Sequence, residues 1–278
     1  MVFSVADVVK ELRSNRRLAH QVVDNLYLEA SEPRFGTLNP PLPKAIAAAL
    51  AKQGIDELWT HQVDGLEAVR RGENVLVTTP TASGKSLIFH LPVLEEAARG
   101  GPGRALFLYP LKALGQDQKG KFDDLAAASG LKEVARCEIY DGDTPRSRRQ
   151  KIKEDLPRVL VSNPDMLHLG ILSYWQQWEG FLKDLRWVVI DELHTYRGIF
   201  GSHFHHVIQR LQRICRSVGS DPIFVSSSAT AANADEFGHS LTDLEFRWLS
   251  ESGAPREGRH FLLVQPESSP YTATLQLF

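Results

Sequence analysis

Six short, nearly uninterrupted apolar runs, alternating with longer stretches of helical period, constrain this chain more than any other feature. The runs are NVLVTTP (74–80), RALFLYP (104–110), VARCEIYDG (134–142), RVLVSNP (158–164), RWVVIDE (186–192) and PIFVSSSAT (222–230). A strand with one wet face alternates apolar and polar residues, whereas one buried on both faces of a parallel sheet does not. Segments of helical period, such as 86–99 and 203–218, lie between the runs. Six strand–helix repeats predict an open, mostly parallel α/β sheet with helices on both faces and right-handed crossovers. Ligands of such sheets bind beyond the carboxyl ends of the strands, so the polar tail of each run marks the expected functional edge.

The flanks read differently. Helical spacing over 5–13 and 19–28, prolines at 33, 40, 41 and 43, and an Ala-rich stretch over 44–52 closed by Gly54 predict a helical N-terminal extension, 1–55. Residues 56–248 carry the repeats. Beyond them SESGAPREG reads as a linker, RHFLLVQP as one strand, and TATLQLF as a helix that starts and stops.

Composition excludes several classes. Of 278 residues, 42% are hydrophobic and 24% charged, which is ordinary for a globular protein and rules out a disordered or fibrous chain. Thirty-two basic against 34 acidic residues give a net charge of −2, which neither requires nor excludes a local basic groove. The two cysteines, Cys137 and Cys215, have no paired spacing, so no zinc site or disulfide framework is expected and a reducing, cytoplasmic setting is. No apolar stretch approaches the roughly 18 residues of a membrane span, and the start lacks the order of a signal peptide.

The segment Thr79-Pro-Thr-Ala-Ser-Gly-Lys-Ser86 sits between a predicted strand and a predicted helix, the context of a phosphate-binding loop. Thr81, Ala82, Ser83 and Gly84 would cradle phosphates with backbone amides at the positive end of the helix. Lys85 would reach the β and γ phosphates, and Ser86 would place its hydroxyl on Mg²⁺. Thr79 stands where the strict pattern has Gly. Asp191-Glu-Leu-His194 ends the fifth run, where Asp191 can hold Mg²⁺ opposite Ser86 and Glu192 can orient or deprotonate the attacking water. Together the two motifs predict a magnesium-dependent nucleoside triphosphatase.

With Ser228-Ala-Thr230 at the next strand end, these strings resemble motifs I, II and III of the superfamily 2 DExH-box helicases. Leu58-Trp-Thr-His-Gln62 resembles the adenine-reading motif, with Gln62 on the base. Tyr109-Pro-Leu-Lys-Ala-Leu114, Gly142-Asp-Thr144 and Ser162-Asn-Pro-Asp-Met-Leu167 resemble the strand-gripping motifs. TASGKSL, LYPLKALGQDQ, SNPDMLH and IDELHTYRGIFGSH narrow the resemblance to the MrfA/YprA-type DNA helicases, relatives of a yeast RecQ-like enzyme. The resemblance implies a RecA-like lobe over 56–248 and 3′-to-5′ translocation on single-stranded DNA in DNA repair. It also implies strand contacts at Pro110, Lys112, Gly142, Asp143, Thr144, Ser162, Asn163 and Pro164, and a coupling role for His194, Ser228, Ala229 and Thr230.

Independently, amides and side chains at one sheet edge suit phosphate binding without base readout, so the expected partner is single-stranded DNA, with RNA not separated by chemistry. The run Arg146, Arg148, Arg149, Lys151, Lys153 reads either as an extension of that groove or as a solvated helix face. His203, His205 and His206 read as surface or packing residues, and Trp175 with Trp178 as packing. No arginine-bearing motif of a second lobe follows Thr230, and such an arginine is typically worth about 10³–10⁵ in turnover. Residues 249–278 are therefore expected to be a linker and the truncated start of a second RecA-like lobe, which must be supplied in cis or trans. An interaction module that keeps the helicase fold without catalysis is the alternative.

Overall fold

The computed structural model describes residues 4–15, 19–229, 233–267 and 269–271. They fall into two units, one drawn from 1–33 and 255–278 and the other comprising 34–254. This division differs from the expected boundaries after 55 and 248.

In the smaller unit, α1 (Val5–Ser14) opens on a reciprocal cap in which Ser4 Oγ accepts from Asp7 N–H and the Asp7 carboxylate accepts from Ser4 N–H. The stretch 19–28, expected to be helical, instead forms a short 3₁₀ turn and β1 (Val22–Leu28). That strand pairs antiparallel with the last described strand, β11 (Arg259–Val264), Leu26 opposite Phe261 and Tyr27 opposite His260. Val22, Val23 and Tyr27 favour extended chain, and β11 supplies the hydrogen bonds that a helix would have made internally. The strand expected in RHFLLVQP is β11; TATLQLF, 272–278, lies outside the described residues.

The larger unit begins with β2 (Phe35–Gly36), α2 (Lys44–Lys52), β3 (Leu58–Trp59), α3 (Thr60–Arg70), β4 (Val75–Val77) and α4 (Leu87–Ala98). It continues through β5 (Arg104–Leu108), α5 (Lys112–Ala128), β6 (Cys137–Ile139), α6 (Arg146–Glu154), β7 (Val159–Ser162), α7 (Pro164–Met166) and α8 (Glu179–Lys183). β8 (Leu185–Ile190), α9 (Gly198–Val218), β9 (Ile223–Ser227), α10 (Ala234–Thr242) and β10 (Arg247–Leu249) complete it. Ile46, Ala49 and Leu50 of α2 are buried in its core, which is why 34–54 belongs here and not to a separate extension.

Seven strands form one all-parallel sheet in the order β10-β4-β9-β8-β5-β7-β6. Six of them are the six apolar runs. Alternate residues feed two separate cores: Val75, Phe107, Val161 and Val189 face α2–α5, while Leu76, Leu106, Leu160 and Val188 face α8–α10. Burial on both faces thus accounts for the unbroken apolar runs. The seventh strand, β10, has three residues and an exposed Arg247, so it carries no such signal. Trp248 Nε1–H anchors it to Thr78 Oγ1 at 2.8 Å. Among the described residues no helix is long and apolar enough to cross a membrane.

His90 of α4 is fully enclosed by Phe89, Phe107 and Phe122, and its Nε2 has no hydrogen-bond partner. Burial pushes its pKa down to about 3. The unfolded chain takes up this proton at about 6.5 and the folded chain does not, so the contribution is complete above pH 6.5 and is lost as pH falls. Urea unfolding should show His90 costing about 2 kcal/mol of stability at pH 5 relative to pH 7.5, and His90→Leu should lose that part of the pH slope. An undiminished slope in the variant would contradict this assignment.

Candidate nucleotide and nucleic-acid site

Because the sheet is parallel, the carboxyl ends of all its strands share one edge. The loop 79–86 leaves β4 there, beside Ser228 after β9, which in turn adjoins Asp191 after β8. Adjacent strands thus assemble residues more than 100 positions apart.

The phosphate loop is braced from beneath. Thr79, fully buried, meets Ser83 hydroxyl-to-hydroxyl at 2.6 Å, which gives the departure from Gly at this position a structural use. Thr81 and Ala82 lie exposed at the crest, with Ala82 at φ 63° and Gly84 at φ 67°. Lys85 Nζ donates to Thr79 O at 2.7 Å and reaches Ser228 O at 3.5 Å. Burial lowers its pKa, against the partial opposition of Glu192 and Asp191. Ser86 precedes α4 without capping it by its side chain.

Gln62, expected on a base, has its partners within the chain in this structure. It is buried; Oε1 accepts from Trp59 N–H at 3.0 Å and Nε2 donates to Gly84 O at 3.0 Å, so in this structure it braces the loop. Its neighbour His61 was not singled out from sequence. Gly253 N–H donates to His61 Nδ1 at 3.1 Å, which fixes the proton on Nε2, and Nε2–H donates to Ser83 O at 2.8 Å. Burial lowers the His61 pKa, in keeping with this neutral form. The only sequence signal for it is its position inside the string around Gln62.

At the second motif, Asp191 is buried and its Oδ1 accepts from the Ser227 hydroxyl and from Glu192 N–H. No partner for its Oδ2 is recorded among the described residues. Glu192 has φ 52°, an uncommon conformation for a non-glycine residue. His194 Nδ1 lies 3.1 Å from the Ala229 amide and 3.3 Å from Glu192 Oε2. An unprotonated Nδ1 accepts from the amide, whereas a protonated one donates to the carboxylate, so the ring's proton decides which side it joins. Thr230 lies outside the described residues.

The expected strand contacts cluster after β5, β6 and β7, where Leu111, Lys112, Asp141, Ser162 and Asn163 line one crevice. Lys112 Nζ pairs with Asp143 at 2.7 Å beside Gly142. Several hydroxyl and amide groups expected to meet phosphate are otherwise engaged. Thr144 Oγ1 donates within its own turn, to Asp141 and Ile139; Ser162 is buried and donates to Tyr140 O at 2.7 Å; Asn163 caps the turn that begins at Pro164. Lys112, an ammonium with donors beyond its pair with Asp143, and the first amides of α5, which follow Pro110 and Leu111 without a side-chain cap, are donors at this edge. Trp178 is fully buried and Trp175 packs on the same core; His203 and His206 are exposed on α9.

Comparison with known proteins places this geometry. The profile of the DEAD/DEAH box helicases matches residues 59–237. The chain belongs to that family. It is 42% identical over 263 residues to the ATP-dependent helicase YprA of Bacillus subtilis (strain 168), covering 95% of this chain and 34% of YprA. It is 31% identical over 268 residues to the ATP-dependent helicase hrq1 of Schizosaccharomyces pombe, covering 95% and 25%. The crystal structure of the DUF1998 helicase MrfA bound to DNA and AMPPNP matches with a TM-score of 0.91 and 40% identity, over 99% of this chain and 38% of that one. The helicase Lhr of Mycobacterium smegmatis, at 23% identity and a TM-score of 0.65 over 76% of this chain and 28% of that one, shares the fold. The chain spans about a quarter to a third of the length of the curated relatives YprA and hrq1. The RecA-like fold and the MrfA/YprA resemblance read from sequence agree with these matches.

A Cβ at Gly84 would overlap Gln62 Nε2, and φ there is left-handed; at Gly142 the nearest neighbour would be Lys112 Nζ at 3.8 Å. Gly84→Ala is therefore expected to cost about 1–3 kcal/mol, and Gly142→Ala to stay within about 0.5 kcal/mol, both by urea unfolding. Equal effects would mean that the loop is not held as described.

Proposed function

We propose that this chain is the ATP- and nucleic-acid-binding first lobe of an ATP-dependent DNA helicase of the DNA-repair type, moving 3′-to-5′ on single-stranded DNA. Mg-ATP hydrolysis would drive translocation only with a second RecA-like lobe. The observation that carries the reading is the convergence of Lys85, Ser86, Asp191 and Glu192 at one sheet edge, beside the crevice that unites the three strand-gripping segments. The relatives' names, and the DNA and AMPPNP bound to MrfA, support it.

The residues fit the ligands. Lys85 is tied only to carbonyl oxygens, which a phosphate outcompetes as a partner for an ammonium group. The Ser86 hydroxyl is not spent on capping, and Asp191 presents a carboxylate oriented by Ser227, a donor pair suited to Mg²⁺. The cation, when bound, neutralises charge on the β and γ phosphates. Glu192 holds the attacking water and accepts its proton. His194 then joins either Glu192 or the Ala229 amide, linking the water-holding carboxylate to the segment Ser228-Ala229-Thr230. Lys112 and the α5 amides hold the strand by its phosphates, so binding is sequence-tolerant and weakens with salt.

Titration of the 278-residue chain with a fluorescent ATP analogue should show Mg²⁺-dependent binding that Lys85→Ala weakens at least tenfold. Turnover should be very slow with or without single-stranded DNA, and should rise by about 10³-fold or more when the second lobe is supplied. Binding indifferent to Lys85 and Mg²⁺ would refute the nucleotide site and favour a non-catalytic module. Fast DNA-stimulated turnover by the monomeric chain alone would refute the need for a second lobe.

A further inference from the structure

Beside the strand-gripping turns lies a cavity of about 440 Å³, lined by Tyr140, Arg146, Arg149, Lys153, Met166 and Tyr174 among others. One wall is cationic. Arg146, Arg149 and Lys153 recur three and four positions apart on α6 and so share a face. The opposite wall is apolar and aromatic, and no carboxylate lines the cavity.

This wall separates the basic run into two parts. Arg148 is ion-paired with Glu138, a structural contact outside the cavity. The cavity's cations are held by neutral groups. Arg149 sits 5.6 Å from the centroid of the Tyr140 ring and donates to Asp141 O at 2.8 Å and Gly142 O at 3.1 Å, while its buried Nε has no partner. Lys153 Nζ lies 5.9 Å from the Trp178 ring centroid and donates to Gln177 Oε1 at 2.7 Å. Its pKa is lowered by burial and by the charge of Arg149. Arg146 is exposed and has no ion pair recorded among the described residues. Three cations without a counter-charge make a site for an anion.

The aromatic wall says what kind of anion. Tyr174, in the cavity lining, is 54% exposed and sits at a backbone kink with φ −128° and ψ 36°. Of the carbonyls bound by Arg149, Gly142 O opens the second strand-gripping segment and Asp141 O immediately precedes it, and Met166 ends the turn that follows Asn163 in the third. The cavity is therefore continuous with the path assigned to the strand. We propose that it takes one nucleotide of the bound single strand, its base against Tyr174 and its phosphate on Arg146 and Lys153. The inference rests on the strand-binding reading above. Any base has a π-face, so the subsite selects for the presence of a base and not for its identity.

Fluorescence anisotropy of the 278-residue chain tests it, using labelled oligothymidylate and the same oligomer made with abasic sugars. The parent chain should prefer the oligomer with bases. Tyr174→Ala should weaken that binding by roughly 5- to 100-fold and remove the preference, and Tyr174→Phe should restore both. Arg146→Gln should flatten the salt dependence by about 0.7 in log–log slope, one single-strand phosphate contact. Thermal melts of these surface variants establish that they are folded. If Tyr174→Ala and Arg146→Gln bind like the parent while Lys112→Ala binds more weakly, the subsite is overturned and the strand path stands. A parent chain that binds neither oligomer overturns both.

Discussion

The parallel sheet is the constraint on which everything else in the larger unit depends. A parallel neighbour can be reached only by a crossover, and a right-handed crossover returns the chain to the same end of the sheet. Each strand therefore begins at one edge and delivers its loop at the other. Seven strands laid down this way place the phosphate loop, the acidic motif and the three strand-gripping segments on a single rim. Their order along that rim separates two tasks. β4, β9 and β8 carry the residues proposed for the nucleotide; β5, β7 and β6 carry those proposed for the strand. Since β8 adjoins β5, the two groups meet where Asp191 N–H donates to Leu108 O.

Much of the chemistry at this rim is spent on holding loops, not on ligands. Gln62 and His61 fasten the phosphate loop from α3, and His61 extends the link to Gly253, after the last strand of the sheet. Ser227 orients Asp191, Thr144 and Asp141 close one turn, and Asn163 caps another. Left-handed backbone at Ala82 and Glu192 adds strain that these fastenings must hold. What remains available is the amides and the cations, which suits recognition of phosphate on both ligands. The geometry is preorganised because its polar side chains are already engaged.

Six of the seven strands were legible because a buried parallel strand has a continuous apolar signature, and the loop 79–86 and Asp191 stood out as polar segments that follow such runs. β10 was not legible: three residues that include an exposed arginine carry no periodicity, and its place is fixed by its neighbour β4 and the bond from Trp248 to Thr78. β1 was misread because apolar residues at 19–28 fit a helical period, whereas the hydrogen-bond partner that makes them a strand lies more than 200 residues away. The uses of Ser162, Thr144 and Gln62 were also hidden, since sequence names a polar group without showing whether it turns inward. The α6 run left two readings open; the structure gives Arg148 an internal partner and turns Arg146, Arg149 and Lys153 to a cavity.

The central claim is that one sheet rim carries two adjoining but separate ligand sites. Hydrogen–deuterium exchange of the whole chain, alone and with saturating Mg²⁺–ATP analogue or single-stranded oligothymidylate, tests it most directly. The account predicts that the nucleotide slows exchange at 79–87 and 191–194, and that the oligomer does so at 111–115, 141–144 and 163–167. Protection by both ligands at the same segments, or protection at the amino ends of the strands, would contradict it.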